Sequence, residues 1–198
     1  MIAGALPSDR FSPLARDFAL IIAGSLLLAL SSQIKVPIGP VPISMQSFVV
    51  LLIGATYGWR LGAATIFAYW VEGIAMAGFM PWFANGSGLA YFMGAPSAGF
   101  LWGFMAMVVV VGFLADNLNM RKYAVTLFIA MLLGQVALYV VGLAVAYTLV
   151  LPNVTWMNST EQMLKIYLTP FVIGDLLKTA IATLLVIQGW QWLEGRMR

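Results

Sequence analysis

Six long apolar runs follow one another along this chain, at 17–34, 45–58, 61–79, 98–115, 123–151 and 168–192, and little that is charged interrupts them. A helix that crosses a bilayer needs roughly 20 consecutive apolar residues. A soluble domain of this length could not bury so many. Overall 62% of the 198 residues are hydrophobic and only 9% are charged, against about 25% charged in ordinary soluble domains. The expected fold is therefore an all-α integral membrane protein of six transmembrane helices. It reads as a single transmembrane domain over 1–198, with no sizeable part outside the lipid bilayer. The second run is short, and the fifth is long enough to span with tilt. A net charge of +3 is too small to point to nucleic acid.

The segments between the runs are of two kinds. Residues 35–44, KVPIGPVPIS, hold three prolines and a glycine. Proline removes an N–H donor and disfavours helix at the residue before it, so this stretch is expected to be extended or turned. Residues 80–97, MPWFANGSGLAYFMGAPS, are uncharged and rich in Gly, Ala, Ser and aromatics. Irregular backbone of that kind is tolerated near a bilayer only against protein or a cavity. The remaining connections are short and charged. The first sixteen residues, with two prolines, do not have the form of a cleaved signal peptide.

With six spans both termini lie on one side. Arg10, Arg16, Arg60, Arg121, Lys122, Arg196 and Arg198 then share that side, and Lys35 and Lys165 take the other. The positive-inside rule makes the first side cytoplasmic. Trp59, Trp190 and Trp192 fit an inner aromatic belt, and Trp82 and Trp156 an outer one. Both Pro- and Gly-rich loops face outward.

Three charged residues cannot be moved out of the spans: Glu72, Asp175 and Lys178. Each costs about 2.5–3.5 kcal/mol at a helix centre on insertion scales. Asp175 and Lys178 are three residues apart, so they share one helix face, about seven residues or ~10 Å below the outer surface. Two readings fit the pair: an ion pair that staples helices together, or a ligand site. Glu72 can face the same cavity or hydrogen-bond a neighbouring helix. Ala19 and Ala23 form a small-xxx-small pair on the first helix, suited to close packing within the bundle or to docking a partner helix. Trp70 and Trp102 sit deeper than belt positions, as core, lipid-facing or pocket-wall residues. Gln46, just after the proline loop, can both donate and accept hydrogen bonds.

Histidine and cysteine are absent. That removes disulfides and the commonest general base and metal ligands. No G-x-x-x-x-G-K-[ST] phosphate loop occurs either. Any ATP is expected to be used by partner subunits, and no cofactor or metal is expected. An intramembrane hydrolase built on Asp175 and Glu72 is the least favoured reading.

In order, KVPIGPVPISMQ, GATYGWRLGA, YWVEGIAMAGFMPWFANGSG, GAPSAGFLWGF and PFVIGDLLK resemble the BioY family, the biotin-specific substrate-binding (S) components of energy-coupling factor (ECF) transporters. The resemblance runs from about residue 17 to about 185. It implies a six-helix substrate-capture subunit of the inner membrane, with 1–16 cytoplasmic and with loops 35–44 and 80–97 roofing a biotin site. It assigns the site to Gln46, Asp175, Lys178 and a polar residue of the second loop, Asn85 with Ser87 as the alternative. The family's G-P-[ST]-G-G-Y is here Ala95-Pro96-Ser97-Ala98-Gly99-Phe100. The resemblance also implies a coupling transmembrane (T) component docking at Ala19 and Ala23, and ABC-type ATPase subunits. It admits an S component for another vitamin, and partner-independent transport as a homo-oligomer.

Biotin's ureido ring carries two N–H donors and one acceptor. Asp175 can accept from it, and Lys178 or Asn85 can donate to it. Tyr91, Phe92 and Trp102 are candidates for an apolar wall. The carboxylate end is left to loop N–H groups, Gln46 or Lys35.

Overall fold

The computed structural model describes residues 12–117, 123–150 and 159–196. Helix α1 runs Pro13–Gln33, with the Ser12 hydroxyl accepting from the Ala15 N–H at 3.2 Å and Pro13 opening the first turn. The proline loop folds into a two-stranded antiparallel hairpin, β1 (Lys35–Val36) and β2 (Ile43–Ser44), with Lys35 opposite Ser44. Then come α2 (Gln46–Ala75), a short α3 (Leu89–Gly94), α4 (Ala98–Asn117) and α5 (Ala124–Val145). A wide π-type turn, Ala146–Val150, extends α5. The chain closes with α6 (Thr160–Tyr167) and α7 (Val172–Arg196). Among the described residues, five helical stretches are long and apolar enough to cross a membrane: Pro13–Gln33, Gln46–Ala75, Ala98–Asn117, Ala124–Leu149 and Glu161–Leu193.

The second and third apolar runs of the sequence form one element, α2, broken at Gly58 by φ +80° and ψ 177°. The break folds α2 back on itself. Gln46 Nε2 reaches Tyr69 OH at 2.7 Å, although 23 residues of straight helix span about 34 Å. A side chain at Gly58 would be strained at that φ and would also strike the Asp116 carboxylate. That carboxylate instead accepts the Trp59 N–H at 3.3 Å, at the start of the second arm. Gly112 of α4 lies directly against the turn, on Gly58 and Trp59 backbone.

Helix α4 is the centre of the bundle, between α2 and α5. Gly54 and Gly62 give space to Val108 and Val111. On its other side, Gly99 meets the Gly142 carbonyl, and a Cβ at Gly103 would stand 2.6 Å from the Leu138 carbonyl. Without a hydrophobic driving force in lipid, such backbone-to-backbone contact is what holds membrane helices together. Leu28, Val50, Leu51, Ile66, Tyr69, Met107, Val108 and Leu138 fill the main core. A smaller core of Val41, Ala146, Met163, Tyr167 and Phe171 gathers beneath the hairpin. Leu26, Leu30, Ile129, Val140, Ile181 and Leu184 point outward, as lipid-facing residues should.

Several expected boundaries move. The last apolar run, expected from 168, becomes helical only at Val172 as α7, and a separate short helix, α6, precedes it. Pro170 cannot continue a helix, because it lacks an N–H and clashes with the preceding turn. The second loop contains α3, which ends three residues before α4. The charges and aromatic placed by sequence at Arg10, Arg121, Lys122, Arg198 and Trp156 lie outside the described residues, as does the side chain of Arg196.

Candidate ligand site

The first turn of α7 is built around its acid. The Asp175 N–H bonds to the Phe171 carbonyl at 2.8 Å, and Lys178 follows on the same face. Their ion pair closes at 3.0 Å between Lys178 Nζ and Asp175 Oδ1. Asp175 is 5% exposed and Lys178 8%. Lys178 also donates to the Ser44 carbonyl at 2.8 Å and to Ser47 Oγ at 3.0 Å. An ammonium has three N–H donors, and all three are committed. Lys178 thus ties α7 to the end of the hairpin and to the first turn of α2.

Asp175 is equally well held. Ser47 Oγ donates to Oδ1 at 3.1 Å. Tyr139 OH donates to Oδ2 from α5. A carboxylate offers about four acceptor positions; two on Oδ1 and one on Oδ2 are filled, which leaves one. Gln46 has a similar balance. Its Oε1 accepts from Ser44 Oγ at 3.1 Å, and its Nε2 donates to Tyr69 OH. One amide N–H of Gln46 stays available.

These groups line a cavity of about 470 Å³, its open mouth included, under the β1–β2 hairpin. Its polar lining is Ser44, Gln46, Ser47, Ser97, Asp175 and Lys178. Its apolar wall is Val41, Phe100, Leu101, Phe104, Leu138 and Phe171. The roof is pinned by Lys35 Nζ, which donates to the Ala84 carbonyl and so joins the hairpin to the second loop. Gln33 Nε2 adds a bond to the Pro81 carbonyl at 2.6 Å.

Of the residues named from sequence, the structure brings Gln46, Asp175 and Lys178 together on one lining. The others lie outside it. Asn85 is exposed, and its backbone N–H donates to Tyr91 OH at 3.1 Å. Tyr91 stacks on Phe83 and shares a 2.7 Å hydrogen bond with Ser97, one step from the cavity. Burial pushes the Tyr91 phenol above its ordinary range, so it stays protonated and able to donate. Trp102 packs against Phe92 at 5.1 Å and Trp70 at 5.5 Å. This aromatic cluster fills the space between α2, α3 and α4. Ser87 bonds the Met76 carbonyl. Glu72 accepts from Ser25 Oγ of α1 at 2.9 Å, a contact between helices. Ala19 and Ala23 are exposed on the outer face of α1. Ser47, Tyr139 and Phe100 are the site residues that sequence reasoning missed. Ser47 lies one residue after Gln46, and that adjacency was the one available signal.

The sequence pattern of the BioY family matches residues 6–195. The chain belongs to the BioY family. Among its BioY relatives, the biotin transporter BioY of Thermotoga maritima is 30% identical over 85% of this chain and 94% of its own length. That of Rhizobium etli is 29% identical over 96% and 99%. A probable biotin transporter BioY of Rickettsia prowazekii is 37% identical over about half of each chain, 51% and 53%. Among solved structures, the S-component for biotin from an ECF-type ABC transporter shares the fold. Its TM-score is 0.74 at 20% identity, covering 89% of this chain and 92% of that one. The BioY match extends through the whole described bundle, from α1 to α7.

Proposed function

We propose that this BioY-family chain is the biotin-capturing S component of an ECF-type transporter, and that the cavity between α7, α2 and the hairpin is its biotin site. BioY proteins are transport subunits, not enzymes. The observation that carries the reading is the Asp175 cluster: a buried acid with one acceptor position left, beside Gln46 with one donor left. A ureido N–H meets the first and the ureido carbonyl meets the second. Phe100, Phe104 and Phe171 cover the apolar rings and chain. Lys178, with its three protons used, pairs with the acid rather than touching biotin. The carboxylate tail lies toward the mouth, beneath the loops that Lys35 joins.

The chain is a multi-pass membrane protein. In our reading α2 crosses twice, once in each arm around Gly58, which gives six spans and one substrate-capture domain. The support is the antiparallel contact between the arms. Both termini then lie in the cytoplasm, and the cavity opens on the outside of the inner membrane. Uptake draws on a T component and ABC-type ATPase subunits. Ala19 and Ala23, exposed on α1, suit a helix that docks closely. Ala19→Trp or Ala23→Trp is expected to block co-purification with the T component while biotin affinity stays within about threefold, since neither touches the cavity. Unchanged co-purification moves the docking face elsewhere.

The reading is tested by equilibrium binding of labelled biotin to the detergent-purified chain, with dethiobiotin, thiamine and riboflavin as competitors. Dethiobiotin, which keeps the urea, is expected to compete, and the other two to fail. Displacement by thiamine or riboflavin at equal concentration would reassign the ligand.

A further inference from the structure

Asp175 forms a wall between two spaces. Its Oδ1 is held by Lys178 and Ser47, both on the lining of the biotin cavity. Its Oδ2 is held by Tyr139, which is not on that lining. Tyr139 and Asp175 instead share a second recess of about 650 Å³, its open side included, with Leu132, Gln135, Val136 and Val172, between α5 and α7. Val136 is 56% exposed and Val172 41%, so this recess opens on the outer side of the bundle. In a bilayer, hydrocarbon faces it, and a polar atom presented there needs a partner from the protein.

We propose that the Tyr139 hydroxyl is a positioning residue for ligand binding: it anchors Asp175 Oδ2 on the lipid side and so sets the rotation of the carboxylate that meets the ligand. This rests on the biotin reading given above. The torsion that turns a carboxylate is broad and roughly two-fold, so the side chain's own preference does not fix the plane. Lys178 and Ser47 fill both acceptor positions of Oδ1, so the position left for a ligand is the second one on Oδ2. The phenol takes the first position on Oδ2 from the recess side, so the rigid carboxylate is held at both ends and its open position is turned away from the recess. Its ring is held separately, edge-on to Phe100 at 6.2 Å and 80°, and that packing survives loss of the hydroxyl. Gln135, one turn away in the same recess, serves as an internal contrast. It is 5% exposed and bonds Thr179 at 3.5 Å, without reaching the carboxylate.

The test compares affinity for biotin with affinity for an analogue methylated on a ureido nitrogen, using purified full-length chain. A site built to pair an N–H discriminates strongly against a ligand that lacks it. Tyr139→Phe is expected to weaken biotin binding about tenfold and the analogue much less, so that the preference collapses by about the same factor. In an Asp175→Asn background the same change is expected to cost under about threefold, because residues that act through one another are not additive. Gln135→Leu is expected to leave the preference within about threefold, as a change away from the carboxylate.

Wild-type affinity and preference in Tyr139→Phe would overturn the proposal. So would an equal loss in Gln135→Leu, a full effect in the Asp175→Asn background, or a Tyr139→Phe chain that cannot be recovered folded. That last result would make the hydroxyl a requirement of folding. A wild-type chain that binds no biotin sinks the biotin reading itself, and this proposal with it.

Discussion

Asp175 and Glu72 are both acids set in apolar helices, and the structure treats them differently. Asp175 is gripped from three elements, by Lys178 on α7, Ser47 on α2 and Tyr139 on α5, and it borders a cavity. Glu72 has one hydrogen bond among the described residues, from Ser25 across the α1–α2 contact, and is not on the lining of that cavity. Its Oε2 is buried without a partner. The cost of insertion is similar for both, so an acid inside the membrane does not by itself mark a site. What marks Asp175 is a set of partners from several helices that leaves one acceptor position open beside a shaped space. Glu72 has the simpler arrangement of a group that fastens two helices.

The largest effect expected from this contrast comes from Lys178. Lys178→Met leaves Asp175 charged and the Ser44 carbonyl unpaired. It is expected to cost about 3–5 kcal/mol of stability together with biotin binding. Adding Asp175→Asn should restore most of the stability, since the uncompensated charge is gone, while binding stays lost. Melting and labelled-biotin binding on the same preparations check this. Recovery of both by the double variant would mean that the pair is structural, like Glu72.

A smaller effect distinguishes two groups of aromatics. Phe100→Ala removes part of the cavity wall and is expected to weaken biotin binding about tenfold or more, as burial of an aromatic ring is worth about 1.5–3 kcal/mol. Trp102→Ala opens the aromatic cluster instead. It is expected to cost about 3 kcal/mol of stability with little change in affinity. Isothermal titration beside thermal melts separates them, and equal affinity losses would place Trp102 in the wall after all. The smallest effect belongs to Glu72→Gln, which keeps an acceptor for Ser25 and is expected to change stability by about 1 kcal/mol or less.

The apolar runs were legible in the sequence as helices because apolar length alone carries that signal, but six runs were expected and the described residues hold five candidate spans, since the second and third runs share α2. Asp175, Lys178 and Gln46 were legible because charge or an amide is conspicuous in such a background. Ser47 and Tyr139 were not, since a serine hydroxyl is cheap in a membrane helix, where it can bond its own backbone, and a tyrosine there reads as one more aromatic. The wall was also hidden. Phe100 and Trp102 are two residues apart on α4, and only packing decides that the first meets the cavity and the second meets Phe92. At Gly58 the sequence shows only a short break between two apolar runs. The sequence did not reveal that helical hydrogen bonding continues almost to the turn, because that depends on Asp116 and Gly112 coming from α4.

The central claim is that the α7 cluster, and not the acid at the α1 contact, receives biotin. The direct measurement is equilibrium binding of labelled biotin to Asp175→Asn and Glu72→Gln side by side, each swap keeping size while removing the charge and turning one acceptor oxygen into an amide donor. Asp175→Asn is expected to lose about a hundredfold or more in affinity, the range for one partner of a buried charged pair. Glu72→Gln is expected to stay within about threefold of wild type, as a change remote from the ligand. Near-normal binding by a folded Asp175→Asn chain, or an equal loss in both, would contradict the account.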